Sequence, residues 1–193
     1  MEARVVQRDV FKTILVVDDN IELLSVLEGL FQQKGFNVLT STNGLEALEI
    51  LENQSPSIII CDVMIPGITG FEFLKKVQEH EEWNRIPFIF LSACSSTEDI
   101  CYAREQGCDE YITKPFDPNE LLATVQGKLR LTQHRINSEY VKAAREKKQI
   151  VNTLSHEFRT PLVSINSGAE LLLTQKDKLD DEQIARLLHS IIR

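Results

Sequence analysis

The sequence predicts an α/β fold, with one doubly wound sheet of five parallel strands followed by a long helix and an α-helical hairpin. Three observations predict it. Short apolar, β-rich runs alternate five times with amphipathic stretches of helical length between residues 13 and 131. The runs are continuously apolar, as in strands whose sheet is covered on both faces. After Asp117 the alternation stops, and a helical composition runs on to residue 175.

Taken in order, the strand runs are 14–17, 38–40, 57–61, 87–91 and 110–112. Helical spacing predicts helices over 20–33, 44–53, 71–79 and 97–106, with a fifth opening at Pro118. Phe71, Phe73, Phe88 and Phe90 read as core. From 118 to 175 only Gly127, Pro161 and Gly168 interrupt the helix. Within it Leu129, Ile136, Tyr140, Ala143, Ile150 and Leu154 recur at coiled-coil steps, a seam that Gln133 and Lys147 weaken. A loop over 175–180 follows. Asp181 then opens a second amphipathic helix with Ile184, Leu187, Leu188 and Ile191 inward.

The chain of 193 residues has room for two small bodies. Charge separates them: residues 1–130 carry 11 basic against 21 acidic side chains (net −10), and residues 131–193 carry 10 against 8 (net +2). An acidic first body argues against nucleic-acid binding, which rests on phosphate neutralisation by Lys and Arg. No apolar run approaches the roughly 18 residues of a membrane span, and no leader pattern opens the chain, so a cytoplasmic location is expected. The four cysteines form no CxxC pair and read as free thiols.

The chemistry gathers at the carboxyl ends of the strands, where doubly wound sheets hold their sites. Asp18 and Asp19 follow the first strand, Asp62 the third and Lys114 the fifth, while Ser92 ends the fourth. Singly, an Asp-Asp pair is often a helix cap and a Lys-Pro a loop. Together, three converging carboxylates repel one another unless a hard divalent cation neutralises them, and magnesium fits best. A carboxylate there can attack phosphorus, with the ammonium group and the Ser92 hydroxyl facing the transferred phosphoryl oxygens.

The set LVVDDN, IIICDVMIPGITG, FIFLSA and YITKPF resembles the receiver domain of two-component response regulators over about residues 11–130. The resemblance implies a flavodoxin-like fold with Asp62 as phospho-acceptor. It implies magnesium held by Asp19, Asp62 and the backbone carbonyl of Met64, with Asp18 acting through water. Ser92 and Lys114 would contact the phosphoryl group, and Tyr111 matches an aromatic switch position that turns inward when the hydroxyl residue moves.

The second body carries Leu154-Ser155-His156-Glu157-Phe158-Arg159-Thr160-Pro161-Leu162. At about 100° per residue, Leu154, Phe158, Leu162, Ile165, Ala169 and Leu172 share one face and His156 points away from it. An exposed neutral imidazole can attack phosphorus, Glu157 can take its proton, and Thr160, one turn on, can orient a hydrolytic water. This segment closely resembles the H-box of histidine kinases over about residues 149–193. That resemblance implies His156 as phosphorylated histidine, Glu157 as general base, Thr160 as a phosphatase residue, and a hairpin that pairs with a second copy into a four-helix bundle.

The domains expected are a receiver over 1–130 (core 11–130), a coiled-coil-like connecting helix over 118–150, and a truncated phosphotransfer and dimerisation hairpin over 149–193. The function expected is phosphoryl transfer within a hybrid sensor histidine kinase. The kinases' ATP-binding domain does not follow residue 193, so autophosphorylation from ATP is not expected of this chain. The partners implied are a second copy, a kinase core, and a downstream response regulator or phosphotransfer protein. Two alternatives stay open: a non-enzymatic module whose receiver only gates a kinase core, and a dimerisation scaffold with a degenerate receiver, which the intact acidic site disfavours.

Overall fold

In a computed structural model of the chain, the described residues are 13–175 and, beyond them, Glu182, Ala185, Arg186 and His189, which are helical. The first residues of the expected receiver, the turn near Asp177, and Ile184, Leu187, Leu188 and Ile191 of the hairpin lie outside them. The chain divides into two units, 1–134 and 135–193.

The first unit is built on strands β1 (Thr13–Val17), β2 (Asn37–Ser41), β3 (Ile58–Cys61), β4 (Phe88–Ser92) and β5 (Glu110–Thr113). All pairs are parallel and the order across the sheet is β2-β1-β3-β4-β5. The inner strands β3 and β4 are buried along their whole length, which is why they read as unbroken apolar runs.

Successive side chains divide between the two faces. Leu15, Val17, Ile59, Cys61, Phe88 and Phe90 face helices α2 (Gly44–Asn53), α3 (Gly70–Glu79) and α4 (Thr97–Glu105), meeting Ala47, Leu51, Phe73, Leu74, Val77 and Ala103. Ile14, Val16, Ile58, Ile60, Ile89 and Leu91 face α1 (Ile21–Gln33) and the start of α5 (Pro118–Gln175), meeting Leu24, Leu27, Phe31, Leu121, Val125 and Leu129. Leu129, expected to begin the coiled-coil seam, is therefore buried in this core. It falls where the apolar side of α5 is still covered by the sheet.

Helix starts are fixed locally. The Asn20 side chain accepts the Glu22 and Leu23 N–H groups, Asn43 accepts Glu46 N–H and Ser96 accepts Asp99 N–H. Thr69 and Glu72 satisfy each other's backbone in a capping box. These caps sit just beyond strand ends, so they also orient the loops around the site.

In the second unit α5 runs through Pro161 to Gln175. Its described side chains are exposed, including Tyr140, Ile150, Leu154, Phe158 and Leu162.

Candidate functional site

Strand order reverses between β1 and β3, and the residues just beyond these two strands form the cleft. Asp18 follows β1 and is almost wholly buried, Asp19 is exposed beside it, and Asp62 follows β3 and is buried. One carboxylate oxygen from each lies within 4.8 Å of the other two.

Lys114, just after β5, reaches across the sheet to them. Its Nζ donates to Asp18 Oδ2 at 2.6 Å and to Asp62 Oδ2 at 2.5 Å. The remaining oxygens accept backbone N–H groups, Asn20 N–H on Asp18 Oδ1 at 3.0 Å and Met64 N–H on Asp62 Oδ1 at 3.1 Å. Both carboxylates are thus held in fixed orientation by one cation and one amide each. Burial pulls the Lys114 pKa down, but the hydrogen bonds and charges of Asp18 and Asp62 outweigh it, and the net value lies above that of an ordinary lysine.

Ser92 is fully buried at the end of β4, where its backbone carbonyl accepts Lys114 N–H at 2.8 Å and its Oγ accepts Cys94 N–H at 3.3 Å. Tyr111 lies inward at 8 % exposure, packed on Phe90, with its hydroxyl donating to the Cys94 carbonyl at 2.8 Å. Burial pushes its phenol pKa up against a hydrogen bond from Ser92 that lowers it. Serine and tyrosine, two strands' contributions, are therefore tied through one loop.

Gly70 is a site residue that motif reading passed over. It opens α3 with its N–H donating to the Val63 carbonyl. A Cβ there would overlap the Asp62 carbonyl oxygen and lie 2.9 Å from Val63 Cα. Only glycine lets α3 start this close to the acceptor loop. The signal was present as the last residue of IIICDVMIPGITG.

His156 and Glu157 are carried by α5 in the second unit, both exposed. Thr160 is helical, and its side chain lies outside the described residues.

The donor set suits a hard cation. Three carboxylate oxygens already converge, all ligands are oxygen, and one member, Asp19, is open to solvent.

Comparison with known proteins agrees with this geometry. Residues 14–126 match the response regulator receiver domain, and residues 146–193 match the His Kinase A (phospho-acceptor) domain. The response regulator Rre1 of Synechocystis is 34% identical over 118 residues, 61% of this chain and 51% of that protein. SaeR of Staphylococcus aureus is 34% identical over 116 residues, 60% of this chain and 50% of that protein. The chain thus spans about half the length of the curated relatives it matches. Among solved structures, Vibrio cholerae chemotaxis protein CheY4 aligns with a TM-score of 0.57 at 33% identity, covering 60% of this chain and 97% of that one. The receiver domain of sensor histidine kinase PA1611 from Pseudomonas aeruginosa, solved with magnesium coordinated in its active-site cleft, aligns with a TM-score of 0.57 at 27% identity, covering 62% and 98%. The receiver match alone takes in more than half of the sequence, and the chain belongs to the response regulator receiver family, with the match to the His Kinase A (phospho-acceptor) domain following it in the sequence.

Proposed function

We propose that this chain exchanges a phosphoryl group between His156 and Asp62. The observation that carries the reading is the Lys114 ammonium held between Asp18 and Asp62. It gives a buried carboxylate a fixed orientation and sets a cation where the charge of a transferred phosphoryl group would gather. In the step itself an Asp62 oxygen attacks phosphorus, the bond from phosphorus to the His156 nitrogen breaks, and the released imidazole is left to take up a proton.

Asp18, Asp19 and Asp62, with the Met64 carbonyl, would hold a magnesium ion, as the cleft of the PA1611 receiver does. When bound it offsets the charge of the carboxylates and phosphoryl oxygens. Ser92 donates its hydroxyl to the phosphoryl group and Lys114 its ammonium. Tyr111 follows Ser92 as the switch. On α5, Glu157 serves as base to His156 and Thr160 orients water for dephosphorylation. The domains are a receiver over 1–130, a connecting helix over 118–150 and a phosphotransfer hairpin over 149–193.

For partners we propose a second copy joined along the apolar side of α5, a kinase core that loads His156, and a downstream response regulator or phosphotransfer protein. None of the described helices is long and apolar enough to cross a membrane, and four free thiols suit a reducing cytoplasm.

Labelling with phosphoramidate tests the reading. The parent chain should carry both an acid-labile phosphohistidine and a base-labile acyl phosphate. His156→Gln should lose the first and Asp62→Asn the second. Asp19→Ala, or a chelator, should abolish the acyl phosphate, and undiminished acyl phosphate in chelator contradicts the metal site.

A further inference from the structure

The two loops that carry the carboxylates of the cleft leave different strands, and the first turn of α2 meets both of them. On the side of β1, the ladder with β2 runs one residue past the strand end: Asp18 N–H donates to the Ser41 carbonyl at 3.1 Å. Ser41 is buried, and its Oγ lies 2.7 Å from the Asn43 carbonyl and 2.8 Å from Glu46 Oε2. One hydroxyl proton serves one acceptor at a time, so either bond closes the turn onto Ser41. The same Glu46 oxygen accepts Thr42 N–H at 3.2 Å and the Asn43 side-chain amide at 3.4 Å. A single exposed carboxylate thereby holds Ser41, Thr42 and Asn43 together. A helix cap needs less than this, because Asn43 Oδ1 already accepts Glu46 N–H at 2.9 Å. Glu46 reaches past the cap to the residue that holds Asp18.

On the side of β3 the contact is apolar. Gly44, the first residue of α2, is buried, and a Cβ there would lie 2.5 Å from Ile68 Cγ1 and 3.2 Å from Ile65 Cδ1. Ile65 is buried in the same core cluster as Ala47 and Leu51 of α2. It follows Met64 directly, so its seat against α2 bears on where the Met64 carbonyl lies. Oxygen ligands of magnesium tolerate little displacement. One helical turn therefore braces both halves of the ligand set.

We propose that the first turn of α2 positions the metal ligands of the cleft. Glu46 acts on Asp18 through Ser41, and Gly44 acts on the Met64 carbonyl through Ile65 and Ile68. Both are positioning residues and neither is a ligand. This rests on the reading of the cleft as a magnesium site.

Magnesium titrated calorimetrically into the full-length chain, with no phosphodonor present, tests this. Glu46→Ala and Gly44→Ala should each weaken binding about tenfold, the low end of what loss of a ligand's supporting bonds costs. Glu46→Gln keeps an amide oxygen for Ser41 and Thr42 and should bind within about twofold of the parent. Ile68→Ala added to Gly44→Ala removes the atoms nearest the new methyl group and should recover most of the lost affinity, a rescue that also shows Gly44→Ala to be folded. In phosphoramidate labelling of Asp62, the magnesium concentration giving half the maximal rate should rise by the same factor in the weakened variants, while the rate at saturating magnesium stays near the parent's. Parental affinity in both alanine variants, whatever their melting temperatures, makes the turn a helix cap only and overturns the positioning. Glu46→Gln as weak as Glu46→Ala assigns the effect to the charge of Glu46 and overturns its positioning role. A parent with no more magnesium heat than Asp19→Ala overturns the metal site itself, and the positioning with it.

Discussion

At the scale of single residues, the cleft is governed by what Lys114 does for two buried carboxylates. Its folded pKa lies above the ordinary lysine value, so folding binds its proton more tightly. The sign follows from linkage: this stabilisation is fully present below about pH 10.4, the unfolded value, and is lost as pH rises through the higher folded one. Lys114→Met should remove that alkaline slope and reduce small-donor labelling of Asp62 at least a hundredfold. Urea midpoints from pH 8 to 11.5 check the first part, and a parent slope no steeper than the variant's contradicts it. The thiols divide by the same physics. Burial, then Asp62 and Asp18, hold the Cys61 thiol well above its ordinary range, and burial with Asp109 and Glu110 pushes Cys108 up to about 11. Cys101 is exposed. At pH 8 only about one Cys108 in a thousand is thiolate, so alkylation followed by mass spectrometry should modify Cys101 first and Cys61 only on unfolding. Early modification of Cys61 would show the β3 face to be open.

At the scale of elements, the start of α3 lies so close to the acceptor loop that it leaves no room for a Cβ at Gly70. Gly70→Ala sets a methyl group against the Asp62 carbonyl and the Val63 backbone, neither of which is a flexible side-chain end. The expected cost is about 1–3 kcal/mol in chemical denaturation, with acyl-phosphate formation on Asp62 falling alongside. A variant as stable and as readily labelled as the parent contradicts the close approach. Much of this architecture is legible because each strand run and cap is a local signal: the helices over 44–53 and 118–175 match at both ends, and the other described elements differ by one residue at one or both ends. Strand ends were legible enough to place Asp18, Asp62, Ser92 and Lys114 at the edge of one sheet. Gly70 was not, because its importance lies in what is missing beside another strand's loop. Leu129 was misassigned because one apolar helical repeat serves two partners in turn. Up to Leu129 the covering surface is the sheet, and sequence periodicity is blind to that change. Pro161 read as an interruption, yet the helix continues past it, leaving the Glu157 carbonyl without its usual donor one residue from His156.

At the scale of the whole molecule, the apolar side of α5 is the surface along which we propose that a second copy pairs. Ile136, Tyr140, Ile150, Leu154 and Phe158 are 41–76% exposed along a single side of the helix, apolar surface of the kind soluble proteins ordinarily cover. A second copy meeting the same side would bury it through self-complementary contacts, as two-fold pairing requires. With Leu129 committed to the receiver core, the seam begins near Ile136, and Lys147 interrupts it, so its strength rests on few residues. The dimer should therefore be weak and should dissociate on dilution. Ile150→Asp places a charge in the middle of the seam, where burial without a partner costs several kcal/mol, and should leave a monomer at concentrations where the parent pairs. Among the described residues the receiver's core takes in none of α5 C-terminal to Leu129, so magnesium-dependent labelling of Asp62 by a small donor should survive the substitution. Sedimentation over a concentration series, run on both chains, checks the pairing. A parent that stays monomeric throughout, or a dimer indifferent to the buried aspartate, contradicts the seam.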